Sequence, residues 1–111
     1  VVTDGPAGPL RRGQVWWGEL ADVGRRPYLV MTRNAAIGVL NSVLAAPVTR
    51  TIRDIPTEVR LGPADGMPAE CVASFDNLTV IPKACLTQHI CTLEPARLSE
   101  ACDALGVATD C

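Results

Sequence analysis

The sequence is poor in aromatic residues, with only Trp16, Trp17, Tyr28 and Phe75, and it contains a single histidine, His89. One histidine without triad partners excludes the usual histidine-driven nucleophile. No apolar run approaches the roughly 20 residues needed to span a bilayer. Val1 to Pro9 carries neither a basic segment nor an apolar one, so it is not read as a secretory leader. No phosphate-cradling glycine loop, G-x-S-x-G, H-E-x-x-H or EF-hand pattern is present. No two cysteines are spaced C-x-x-C, and their number, five, is odd. A disulfide framework is therefore not expected. Cys85, His89 and Cys91 lack zinc-finger spacing and offer only three ligands, so no metal is expected.

What is present is ordinary globular material. Apolar residues make up 48% of the 111 positions and charged residues 20%, which suits one folded domain rather than disorder. Residues 1–10 read as a flexible tail broken by Gly5, Pro6, Gly8 and Pro9, and residues 11–111 as one domain. The net charge of −2 hides an asymmetry. Residues 1–62 hold eight arginines against five acids, and residues 63–111 hold Lys83 and Arg97 against seven. A basic half can attract phosphates on an acidic protein, although uneven surface charge is also compatible with no ligand at all. Cys71, Cys85, Cys91 and Cys102 are expected to act as small hydrophobes in a reducing cytoplasm, and Cys111 as an exposed thiol.

The pattern along the chain is one of short strands. Gln14–Leu20 reads as the first, followed by a turn over Ala21–Arg26 and a doubly buried strand over Pro27–Thr32. Asn34–Asn41 is a loop or short helical turn, and Ser42–Val48 another apolar strand. Ile55–Leu61 alternates as a half-buried strand does, and Gly62–Pro68 is turn-rich. Cys71–Phe75 and Leu78–Ile81 are further strands, with Thr87–Leu93 a strand or irregular link. Pro95 opens a helix whose apolar face is Leu98, Ala101, Cys102 and Leu105, with Gly106 as its stop. Close-spaced strands ended by one helix predict a mainly β fold, a small bent barrel with a packed C-terminal α-helix.

Arg26 precedes one buried strand and Thr49 follows another. If those strands are neighbours, a guanidinium and a hydroxyl emerge at one rim, where they could hold a phosphodiester. An arginine at a strand start is also commonly a plain solvated charge. Trp16 and Trp17 could stack on bases or pack in a core or dimer interface.

Arg12-Gly13-Gln14-Val15-Trp16, then Gly24-Arg25-Arg26-Pro27-Tyr28-Leu29-Val30-Met31, resembles the opening of MazF/PemK-type toxins. Ala46-Pro47-Val48-Thr49, Ile55-Pro56-Thr57-Glu58-Val59, Cys71 to Asn77 with Thr79-Val80-Ile81, and Leu93-Glu94-Pro95 follow in that family's order. The resemblance spans about residues 11–107. It implies an SH3-like barrel, a cytoplasmic homodimer, restraint by a cognate antitoxin, and sequence-specific, metal-independent cleavage of single-stranded RNA. Attack by the 2′-hydroxyl would leave a 2′,3′-cyclic phosphate and a 5′-hydroxyl. By the same resemblance Arg26 and Thr49 are the catalytic pair and Asp76 a third candidate. Arg25, Arg33, Asn34, Arg50, Arg53 and Asn77 are the expected RNA contacts, with a plain solvated surface charge the alternative for Arg33, Arg50 and Arg53.

Three features depart from the family pattern. The loop before Arg26 is short, Ser74 replaces a basic residue of one branch, and Asn77 stands where glutamine is common. A gyrase-poisoning toxin of the CcdB type or a silent RNA-binding barrel would share this fold without the nuclease site.

Overall fold

The computed structural model describes residues 9–111. The tail expected over residues 1–10 lies, through residue 8, outside the described residues, whereas Leu10 packs partly buried against the core. Strands β1 (Gln14–Leu20) and β2 (Gly24–Val30) form an antiparallel hairpin that sets Trp16 opposite Tyr28, Trp17 opposite Pro27 and Gly18 opposite Arg26. Thus β2 starts three residues before Pro27, and Arg25 and Arg26 belong to a strand rather than a turn. Ladder pairing is a backbone matter, and charged side chains at an exposed hairpin end stay in water without disturbing it.

A one-turn helix α1 (Asn34–Ile37) leads to β3 (Ser42–Thr49). The chain then forms β4 (Glu58–Leu61), β5 (Cys71–Ser74), β6 (Thr79–Pro82) and β7 (Leu86–Thr92), with 3-10 turns over Pro63–Asp65 and Lys83–Cys85. The sheet order is β4-β5-β3-β2-β1-β7, with β6 also on β3. β3 is the hub: its first half pairs with β6, Ala45–Pro47 pair with β2, and Val48–Thr49 pair with β5. One strand serving several partners curls the sheet into a half-barrel, the mainly β fold with a C-terminal helix that was expected, with its outer strands β4 and β7 unpaired to each other among the described residues.

Two apolar layers fill it. One gathers Val15, Leu29, Val48, Val59, Leu61, Phe75 and the helix α2 (Pro95–Thr109) through Ala101 and Ala104. The other gathers Trp16, Tyr28, Val30, Val43 and Ile81 with Ile37 of α1. Alternation along each strand divides its residues between these layers.

Three local expectations change. The strand expected from Ile55 begins only at Glu58, because Asp54 adopts a left-handed conformation (φ 57°) and its amide turns onto the Glu58 carboxylate. The helix continues past Gly106 to Thr109 and ends at a left-handed Asp110. Cys102 is exposed, not packed, and accepts a hydrogen bond from Arg12 Nη2 at 2.9 Å. A residue one step round the helix from the Ala101/Ala104 stripe falls on the water side.

Arg97 fastens α2 to the sheet. Its guanidinium donates to Asp65 Oδ1 (3.0 Å), to Glu100 Oε1 (2.6 Å) and to the carbonyl of Arg60. Burial pushes the Asp65 carboxyl up, but hydrogen bonds from Arg97 and Gly62 and the Arg97 charge outweigh it and hold it below the usual carboxylate range.

Candidate active site

The ladder between β2 and β3 ends at Tyr28 opposite Pro47. Pro47 has no N–H to extend it, and beyond it β3 turns to β5. Two residues further along the same register Arg26 comes opposite Thr49, at the point where the strands part. The parting leaves two adjoining hollows that share Arg26 and Thr49 as a common wall.

The smaller hollow, about 160 Å³, is polar. Arg26 and Arg53 supply charge, Thr49, Thr51 and Ser74 supply hydroxyls, and Asn77 an amide. The Thr51 N–H donates to Thr49 Oγ1 at 3.2 Å, so the Thr49 hydroxyl proton is left free to donate elsewhere. Asn77 Nδ2 donates to Ser74 Oγ at 3.0 Å, which fixes both at the groove edge. Glu58, whose side chain is only 3% exposed, lies under the loop that carries Arg53. Its Oε1 accepts from the Arg53 N–H (2.9 Å) and the Asp54 N–H (3.1 Å), and its Oε2 sits 3.7 Å from Arg53 Nη1. One buried carboxylate thereby shapes the loop and tethers its cation.

The larger hollow, about 210 Å³, is apolar in its body and basic at its rim. Trp17, Pro27, Val48, Met67 and Pro68 form the body, and Arg25, Arg26 and Arg50 the rim. The Arg25 guanidinium lies over the Trp17 ring, 4.3 Å from its centroid. It is held there by a hydrogen bond to Gln88 Oε1 (3.0 Å) and an ion pair with Glu19 (3.7 Å). Cys71 also lines this hollow; burial, with help from Glu70 and Asp65, pushes its thiol pKa up. Burial likewise raises the phenol of Tyr28, although the nearby Arg26 charge pulls it back in part.

The catalytic pair expected from the sequence is thus together, and Arg25, Arg50, Arg53 and Asn77 surround it. Asp76 is exposed next to Asn77 but lines neither hollow; its Oδ2 accepts the Thr57 hydroxyl at 2.6 Å. Arg33 and Asn34 are elsewhere. They follow the far end of β2 at the start of α1, where Asn34 Oδ1 takes the Arg12 N–H (2.8 Å) beside a separate cavity of about 580 Å³. Thr51 and Glu58 join the site without a motif to mark them, whereas Ser74 stands where one branch of the family has a basic residue. The alternation of Glu58 with Val59 and Leu61 is the signal for Glu58, since it places Glu58 on the Ser74 face across the β4–β5 pair.

Comparison with known proteins gives one consistent picture. Residues 11–108 match the family model described as the PemK-like, MazF-like toxin of type II toxin–antitoxin systems. The chain is 42% identical over 101 residues to a probable endoribonuclease MazF5 of Mycobacterium tuberculosis, covering 90% of this chain and 93% of the relative. A probable endoribonuclease MazF2 from the same species is 36% identical over 103 residues, covering 92% and 100%. Among solved structures, the Mycobacterium tuberculosis toxin MazF-mt6 superposes with a TM-score of 0.80 at 31% identity, over 87% of this chain and 96% of that one. A mycobacterial endoribonuclease in complex with its cognate antitoxin superposes at 0.82 and 30% identity, over 92% and 96%.

Proposed function

The chain belongs to the PemK-like, MazF-like toxin family of type II toxin–antitoxin systems, and from that premise we propose how its groove acts on RNA. It is a toxin endoribonuclease under the control of an antitoxin protein. Its substrate is single-stranded RNA in the cytoplasm, and it works as a homodimer. No helix among the described residues is long and apolar enough to cross a membrane.

The reading rests on one observation above all: Arg26 and Thr49, from neighbouring strands, form the shared wall of both hollows. A phosphodiester seated in the polar hollow meets the guanidinium of Arg26 and the free proton of Thr49. As the adjacent 2′-hydroxyl attacks phosphorus in line, charge builds on the non-bridging oxygens, the P–O5′ bond breaks, and the 5′-oxygen takes a proton from water to leave as a hydroxyl beside the 2′,3′-cyclic phosphate. A preorganised, charged donor aimed at those oxygens is among the strongest devices available to an enzyme. Arg53, held by Glu58, adds a second positive charge against the same group. A guanidinium keeps its proton, so the attacking hydroxyl must pass its own to another group. Asp76, on the adjoining turn, or a water bound in the groove takes that part. Because the nucleophile is the 2′-hydroxyl, DNA is refused on chemical grounds alone.

The test is cleavage of a long, unstructured RNA in EDTA by wild type and Arg26→Ala, with the fragment ends analysed. Discrete cuts bearing 5′-hydroxyl ends, reduced about 10²- to 10³-fold in the variant, are the expected result. A folded wild-type protein that makes no cuts, or a variant that cuts as well, refutes the assignment.

A further inference from the structure

We propose that the 210 Å³ hollow is a nucleobase subsite, in which the Trp17–Arg25 stack receives one unpaired base next to the cleaved phosphate. The inference rests on the ribonuclease reading of Arg26 and Thr49 and deepens it from chemistry to substrate selection.

Four observations carry it. Trp16, Tyr28 and Phe75 are all at most 4% exposed, so among the described residues Trp17 is the one Trp, Tyr or Phe side chain that is not buried. That surface position is beside the polar hollow, because Arg26 and Thr49 belong to both. A nucleotide with its phosphate on Arg26 therefore has its base within reach of the indole. The volume lies below the roughly 300–1,000 Å³ of pockets that take drug-sized ligands, which fits one base and not two. Finally, Arg25 is itself pinned by Gln88 and Glu19, so the ring it covers is braced before any ligand arrives. A prepositioned ring loses little freedom on binding, and single-strand binders use such aromatic platforms for base after base.

The lining also says how selective the subsite is. Its body is mostly apolar, with the Thr49 hydroxyl, the Trp17 indole N–H, the Cys71 thiol and the arginines of the rim as its polar side-chain groups. Stacking tolerates any base, whereas edge-reading hydrogen bonds discriminate sharply. Selection at this position is graded rather than absolute, and it comes from how well each base stacks.

The experiment has three arms, the third being the binding of purified antitoxin to wild type and Trp17→Ala. Cut sites on a long, unstructured RNA are mapped for wild type, Trp17→Phe and Trp17→Ala. Trp17→Ala is expected to slow cleavage roughly 5- to 150-fold, the loss of one stacked base, and to flatten base preference at a single position flanking the cut. Trp17→Phe keeps most of both. In the second arm, single-stranded RNA with every 2′-hydroxyl methylated, and hence no nucleophile, is titrated while tryptophan emission is followed. Quenching in wild type that is lost in Trp17→Phe is the signature of stacking on Trp17. Quenching without cleavage would keep the subsite and sink the ribonuclease reading. Cleavage with an unchanged profile in Trp17→Ala and no quenching would overturn the subsite and leave the ribonuclease standing. If Trp17→Ala instead loosened a purified antitoxin and left RNA cutting untouched, the hollow would belong to the antitoxin and the proposal would fall.

Discussion

The same chemical change, glycine to alanine, is expected to have opposite signs at two positions of this fold. A Cβ built on Gly18 would lie 2.6 and 2.7 Å from two ring carbons of Tyr28 and 2.9 Å from Ile81 Cδ1. The isoleucine tip can swing aside, but the tyrosine ring is 2% exposed and packed all round. Either the ring or β1 must shift, and overpacking of this kind costs about 1–3 kcal/mol. At Gly38 the corresponding Cβ meets nothing within 4 Å, and the backbone is already helical (φ −69°, ψ −23°). Alanine there restricts the unfolded chain without strain and stabilises by about 0.4–1 kcal/mol. With about 4 °C per kcal/mol for a chain of this length, Gly18→Ala should melt about 4–12 °C lower and Gly38→Ala about 2–4 °C higher. Differential scanning calorimetry of the three proteins measures both. Because Gly18 pairs directly with Arg26, Gly18→Ala should also cut RNA more slowly at temperatures where it is fully folded. A Gly18→Ala protein that melts and cuts like wild type would refute the packing argument.

Other consequences follow from the clamp, the basic rim and the buried thiols. Arg97→Ala strands the Asp65 carboxylate and the Arg60 carbonyl and should cost about 2–4 kcal/mol in chemical denaturation. Asp65 titrates below its unfolded value when folded, so its contribution is complete above the unfolded carboxylate pKa and is lost as pH falls through the lowered one. The stability gap between wild type and Asp65→Asn should therefore shrink on acidification, and a gap independent of pH contradicts the ion pair. Arg53→Gln removes one phosphate contact and should lessen the slope of log affinity against log salt by about 0.7 for single-stranded RNA; an unchanged slope places Arg53 off the RNA path. With a thiol reagent at mildly alkaline pH, Cys102 and Cys111 should react in the native state. Cys71, raised by burial, and Cys91, pushed up by burial to about 11, should react only on unfolding, as mass spectrometry of the labelled peptides would show.

Element order was legible from periodicity because most strands here bury at least one face. The bounds of β1 coincide with the strand read over Gln14–Leu20, and Pro95 marks the first residue of α2. What periodicity could not reveal is structure decided by backbone or by single contacts. The exposed start of β2 carries no apolar signal, although its ladder to β1 continues through Arg25 and Arg26. The alternation from Ile55 suggests a strand that Glu58 prevents by holding the amides of Arg53 and Asp54. The site divides the same way. That Arg26 and Thr49 face each other depended on one topological condition, adjacency of their strands, and β2 and β3 do pair. The separation of Arg33 and Asn34 from that pair could not be read from residue type, since an arginine on either end of β2 looks alike in sequence.

The pairing of β1 with β7 brings residues 14–20 against residues 86–92. During synthesis, β1 and β2 can zip together early, and Arg26 and Thr49 are both translated before residues 86–92. The outer edge of β1 nevertheless stays open until β7 has emerged, and an unpaired edge is a template for wrong partners. Trp17 and Gly18 both lie on that edge, opposite Gln88 and Leu86, and Gln88 is the residue that pins Arg25. Closure of the sheet and completion of the stacked wall are therefore one event, which comes late on the ribosome. A nascent chain holds its reactive residues well before it holds the frame that makes them a site.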